Sequence, residues 1–163
     1  LAFSFAHQPD VKTVLADLDL RRPGVAKLLG VTEAQSMASV LQGTRPLSEN
    51  FVRYGENLAI GTNATAVRSS SELLLSPTTA QGVAAIRQGF QADVVIYDLP
   101  PMLASDDVMA FLPHLDCVLL IAAAERSRLD EVDKCEQDLA EQTNLLGVVL
   151  NKCRYMGEDY GYY

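Results

Sequence analysis

Tryptophan is absent from these 163 residues, cysteine occurs three times and histidine twice, and lysine plus arginine number only 13 against 21 acidic residues. Each shortage excludes something. Cys117, Cys135 and Cys153 are an odd number with no close pair, and two lie in apolar surroundings where a free thiol packs as a small hydrophobe. They fit a reducing compartment rather than a disulfide scaffold. His7 and His114 are too distant from each other, and from any cysteine pair, for a zinc site. A formal charge of -8 supplies no basic stripe to displace counterions, which excludes general binding to nucleic-acid phosphates but leaves room for a local basic site. No apolar run approaches the roughly 18 to 20 residues that cross a bilayer, and no signal-peptide pattern opens the sequence, so the expectation is a soluble molecule. No glycine is followed by lysine, so a phosphate-cradling G-x-x-x-x-G-K-[ST] loop is missing.

What is present is enough for a core. At 48% hydrophobic and 21% charged the chain reads as one globular domain, residues 1–153, followed by a flexible tail, 154–163. LAFSFAHQ, starting at Leu1, reads as the later turns of a helix whose start is missing, which suggests a fragment. Val11 to Asp17 is a short, β-branched apolar run ending in an acid, the pattern of a strand buried on both faces. Pro23 suits the first turn of a helix through Leu29 closed by Gly30, and Ser36 can cap a second, MASVLQ, stopped by Gly43. Leu58 to Thr62 is a further strand, and the polar stretch NATAVRSSS after it reads as a loop. From Glu72 to Phe90 the pattern is helical, divided by Pro77, with Val83, Ile86 and Phe90 on one face. Asp93 to Tyr97, Cys117 to Ala122 and Leu145 to Leu150 are three more strands. Between the last two, Leu129, Val132, Cys135 and Leu139 form the apolar stripe of an acidic helix. Strands alternating with helices predict an α/β fold: a doubly wound, mostly parallel sheet covered by helices on both faces.

In such sheets ligands bind beyond the carboxyl ends of the strands. Two strands end in acids there, Asp17-Leu18-Asp19-Leu20-Arg21-Arg22-Pro23 and Asp98-Leu99-Pro100-Pro101. If they are neighbours, Asp17, Asp19 and Asp98 converge, and like charges about 4 Å apart repel by roughly 4 kcal/mol at an effective dielectric near 20. A divalent cation would relieve that repulsion, and hard oxygen ligands suit magnesium arriving with nucleotide phosphates. A carboxylate not used by the metal could accept a proton from an attacking hydroxyl. The plainer alternative is that Asp17 and Asp19 cap a turn and Asp98 merely ends a strand. Arg21 and Arg22 could be solvated, brace phosphate oxygens, or pair with Asp19. The prolines after Asp98 hold an extended backbone and prevent immediate helix initiation.

The run from Val14 through Asp17, Asp19, Arg21 and Pro23 resembles the Walker A′ motif of the bacterial tyrosine kinases, and Val94 to Pro101 resembles their Walker B. The resemblance extends through Ser71-Glu72-Leu73-Leu74, Ser76-Pro77, Asp107 nine residues after Asp98, Gly147 to Lys152 and the tyrosine-rich end. It implies a P-loop NTPase-like, MinD- and ParA-like fold without its first strand and phosphate loop. By resemblance Asp17 and Asp98 would hold Mg2+ on ATP, and Asp19 would be the base for the incoming tyrosine. Arg21, Pro100 and Asn151 would lie on the nucleotide. Tyr54 and Tyr97 lie in the body, whereas Tyr155, Tyr160, Tyr162 and Tyr163 crowd the last nine residues and would be phosphate acceptors. The family implies an autophosphorylating protein-tyrosine kinase of capsule and exopolysaccharide export. It would be cytoplasmic, at the inner face of the membrane through a polysaccharide co-polymerase, and homo-oligomeric, with the tail of one subunit in the site of the next and no nucleic-acid partner. The fragment alone would be inactive. Alternatives are a ParA- or MinD-type positioning ATPase, which the poorly basic tail disfavours, and an inactive interaction domain.

Overall fold

The computed structural model describes residues 1–32 and 35–153. They form two compact units, Leu1–Phe111 and the part beginning at Leu112. The first contains α1 (Ala2–Ala6), β1 (Thr13–Asp17), α2 (Val25–Leu29), α3 (Met37–Leu41), β2 (Phe51–Tyr54), β3 (Leu58–Gly61), α4 (Ser70–Leu74), α5 (Pro77–Phe90), β4 (Val94–Asp98) and α6 (Asp107–Phe111). Its sheet has the order β2-β3-β1-β4. β1 is parallel to both β3 and β4, whereas β2 pairs antiparallel with β3, giving the mostly parallel sheet expected plus a strand the pattern did not reveal.

β1 and β3 are the buried strands: Val14, Ala16, Leu58 and Ile60 are at most 3% exposed. Ala2 of α1 and Val25 of α2 complete a cluster with Leu58 and Ile60, against which Phe3, Leu15 and Ile96 pack. Ser36 caps α3 as read, whereas Pro23 lies ahead of Gly24, the N-cap of α2, rather than in its first turn. The Ser36 hydroxyl accepts from the Ser39 amide at 3.2 Å, and the Ser76 hydroxyl accepts from the Thr78 amide at 3.3 Å, with Pro77 in the first turn of α5. Gly30 closes α2 at φ 69°, a left-handed conformation natural to glycine. Within α5, Ile86 is buried and Phe90 meets Phe51 at a centroid distance of 4.7 Å.

The second unit contains β5 (Val118–Ala123), α7 (Leu129–Ala140) and β6 (Leu145–Asn151), with β5 and β6 parallel. Of the predicted stripe on α7, Cys135 and Leu139 are buried, but Leu129 in the first turn is 77% exposed. Leu119, Ile121, Leu146 and Leu150 are likewise exposed on the two strands. No helix among the described residues is long and apolar enough to cross a membrane.

Candidate functional site

The two acid-ended strands are neighbours, and their register places Asp17 opposite Asp98. The ladder continues one residue past β1, where the Leu18 amide donates to the Asp98 carbonyl at 2.8 Å. From there the chain alternates: Leu18 and Leu20 are wholly buried, while Asp19 between them is half-buried and Arg21 reaches the surface. Hydrophobic anchoring on both sides of Asp19 thus holds an acidic turn at the mouth of the sheet, and the Val67 amide fixes it further by donating to the Leu20 carbonyl at 2.7 Å.

Asp17 itself has no solvent exposure. Its carboxylate accepts from the Asp19 amide through Oδ1 and from the Val25 amide through Oδ2, each at 3.2 Å. Burial pushes the carboxyl up to about 6; the Val25 amide opposes this, and the nearby Asp98 and Asp19 charges add to it. Asp98 is open to solvent on one side, yet the protein around it and the Asp19 charge raise its carboxyl too. Asp19 accepts from the Arg22 amide at 2.9 Å, closing the turn. The stretch after Asp98 stays out of α-helix: Pro100 is buried, and Pro101 precedes a 3-10 turn over Met102–Ala104.

The proposed carboxylates fit a magnesium ion in kind. Two hard oxygen donors with raised proton affinity lie opposite each other, and a cation between them would offset a repulsion that otherwise favours protonation. They do not make a closed cage. Among the described residues no group of three or more His, Cys, Asp or Glu side chains is arranged to hold a metal, so most of an octahedral shell would have to come from water and phosphate oxygens.

Arg21 is committed elsewhere. Its Nε donates to both Asp107 carboxylate oxygens at 3.3 and 3.2 Å, and its Nη2 donates to Asp107 at 3.2 Å and to the Ser71 hydroxyl at 2.9 Å. Ser71 in turn donates to Asp107. Arg21 therefore pairs with Asp107 rather than with Asp19. Burial by itself raises the Asp107 carboxyl, but the Ser70 and Ser71 hydroxyls and the guanidinium outweigh it and hold the group below the usual carboxylate range. Ser70 Oγ is buried without a hydrogen bond of ordinary geometry, so it acts on Asp107 as a neighbouring dipole.

Periodicity alone did not point to Asn63. It is 3% exposed, and its Nδ2 donates to the Asp17 carbonyl at 2.7 Å while its Oδ1 accepts from the Met37 amide at 2.9 Å. The only local signal was that it belongs to the polar stretch after β3. Asn151 belongs to the second unit, where it ends β6 and its side chain accepts from the Lys152 amide at 2.8 Å. Tyr155, Tyr160, Tyr162 and Tyr163 lie outside the described residues.

No protein-family model matches the chain. It is 28% identical over 166 residues to the tyrosine-protein kinase YwqD of Bacillus subtilis, covering all of this chain and 69% of YwqD. It is 30% identical over 147 residues to the succinoglycan biosynthesis transport protein ExoP of Rhizobium meliloti, covering 86% of this chain and 18% of ExoP. It spans only 20 to 21% of three further relatives from Ralstonia and Erwinia, all named as tyrosine-protein kinases. The kinase domain of the Escherichia coli tyrosine kinase ETK superposes with a TM-score of 0.81 at 29% identity, over 99% of this chain and 64% of that one. MinD of Pyrococcus horikoshii, solved with Mg-ADP, matches in fold alone, with a TM-score of 0.66 at 20% identity over 86% of this chain and 57% of that one. The fold is that of the P-loop NTPases in the form taken by bacterial tyrosine kinases.

Proposed function

We propose, on the premise that this chain is a relative of the bacterial tyrosine-protein kinases, that it forms the carboxylate side of an ATP-dependent, autophosphorylating protein-tyrosine kinase of polysaccharide export. The observation that carries this reading is the register pair Asp17 and Asp98 at the ends of adjacent parallel strands, with Asp19 one turn beyond. Asp17 and Asp98 are the residues to hold Mg2+, whose chemistry is to offset charge on the ATP phosphates during transfer. Asp19 is half-buried at the rim, and its role is to take the proton from a tyrosine hydroxyl as that oxygen attacks phosphorus. Pro100 shapes the wall beside Asp98, and Asn151 contacts the base. Arg21 holds Asp107 through Nε and Nη2, which leaves Nη1 of its partly exposed guanidinium for a phosphate oxygen. The acceptors are Tyr155, Tyr160, Tyr162 and Tyr163 of a neighbouring copy. The protein works at the inner face of the membrane with a polysaccharide co-polymerase.

Incubating the full-length gene product with Mg2+ and ATP, then mapping phosphopeptides by mass spectrometry, tests the reading. Phosphate is expected on the tail tyrosines, and Asp19→Asn should lower the transfer rate by about 10²- to 10⁴-fold. ATP hydrolysis with no phosphotyrosine would favour the positioning ATPase instead.

A further inference from the structure

Three segments distant in sequence meet at one guanidinium. Arg21 sits in the acidic turn, four residues after Asp17. Ser71 lies on α4, 50 residues away, and Asp107 opens α6, 86 residues away. The Arg21 side chain is 45% exposed, while that of Asp107 has no exposure, so the buried charge has this cation as its counter-charge, with the Ser70 and Ser71 hydroxyls beside it. Such a group does not readily give up its partner: removing one side of a buried pair leaves an unbalanced charge, which is far more costly than losing a surface bridge. The fork is also specific. Nε and Nη2 act together on one carboxylate, an arrangement lysine cannot reproduce.

We propose that Arg21, Asp107 and Ser71 form a positioning clamp that fixes the acidic turn after β1, with Asp107 and Ser71 acting on Asp17 and Asp19 through Arg21. This rests on the reading of the crevice as a magnesium–nucleotide site. The other ties of the turn run to its own carboxylates, to β4 and to the stretch after β3: the Asp19 and Val25 amides to Asp17, the Arg22 amide to Asp19, the Leu18 amide to the Asp98 carbonyl, the Val67 amide to the Leu20 carbonyl and the Asn63 side chain to the Asp17 carbonyl. These bonds survive only while the turn keeps its path. The clamp is its side-chain tie to α4 and α6, holding the turn in the geometry that faces Asp98.

Amide hydrogen exchange on the full-length protein tests the clamp. In Ser71→Ala and Arg21→Lys, the Asp19, Arg22 and Val25 amides should exchange about tenfold faster or more, while the strand amides of Leu15 and Ile60 keep their protection. Ser71→Thr retains the hydroxyl and should restore wild-type exchange. The affinity for ATPγS with Mg2+, measured by calorimetry, should weaken about tenfold in Ser71→Ala and recover in Ser71→Thr. Unchanged exchange in Ser71→Ala, or equal acceleration at Leu15 and Ile60, would overturn the clamp. If the wild-type protein binds no nucleotide, the proposed function fails, while the exchange data still decide the clamp.

Discussion

A buried carboxylate flanked by two others makes Asp17 the residue most sensitive to pH. Its carboxyl is pushed up to about 6 by burial, against about 3.9 for an unfolded chain. The folded state therefore binds this proton more tightly, and the contribution of Asp17 to stability is full below about pH 4 and lost as pH rises through about 6, a swing of about 1 to 3 kcal/mol. Asp107 has the opposite sign: its carboxyl is lowered, so its contribution holds above about pH 4 and is lost as pH falls through the lower folded value. In urea titrations between pH 4 and 8, wild type should lose that amount of stability relative to Asp17→Asn as the pH rises from about 4 through about 6. A constant difference over that range would show that Asp17 is ionised throughout. Asp17 and Asp98 were legible as acids ending apolar runs. The Asn63 and Asp107 contacts were not, because their partners lie 46 and 86 residues away and no local period encodes such a meeting.

Helix caps and buried strands were readable because they depend on neighbours in sequence; β2 was not. Its residues, FVRY, show no apolar–polar alternation, and the strand exists because it adds antiparallel to the edge of β3. Gly82 shows the same limit within α5. A β-carbon there would stand 2.6 Å from the Leu41 Cα of α3, a backbone atom that cannot swing aside. The glycine lets α3 and α5 approach closely. Gly82→Ala would gain about 1 kcal/mol in helix propensity but should lose about 1 to 3 kcal/mol through forced separation of the helices. A lowered urea midpoint is the expected outcome, and a raised one would show that the helices can part without loss. The stripe on α7 was legible as a period, yet only the packing decided that Cys135 and Leu139 are buried while Leu129 is left in solvent.

The net charge of -8 bears on assembly. Four phosphotyrosines would add about -6 to -8 and drive the tail away from the acidic crevice of a neighbouring copy. On the proposed reading, sedimentation velocity of the full-length gene product should give a larger particle before autophosphorylation than after. Changing Tyr155, Tyr160, Tyr162 and Tyr163 to Phe should keep it assembled in the presence of ATP. Identical sedimentation of the phosphorylated and unphosphorylated forms would count against tail release. The amino-acid sequence by itself determined the α/β alternation, the caps and the acids at two strand ends, since apolar runs and terminal residues are properties of short segments. Only the tertiary structure decided that those strands are register neighbours, that Asp17 is the buried acid, and that Arg21 binds Asp107 rather than Asp19. The reason is physical: strand order and side-chain pairing are settled by contacts between segments far apart in the chain, where burial and charge compensation select one partner among several that local spacing allows.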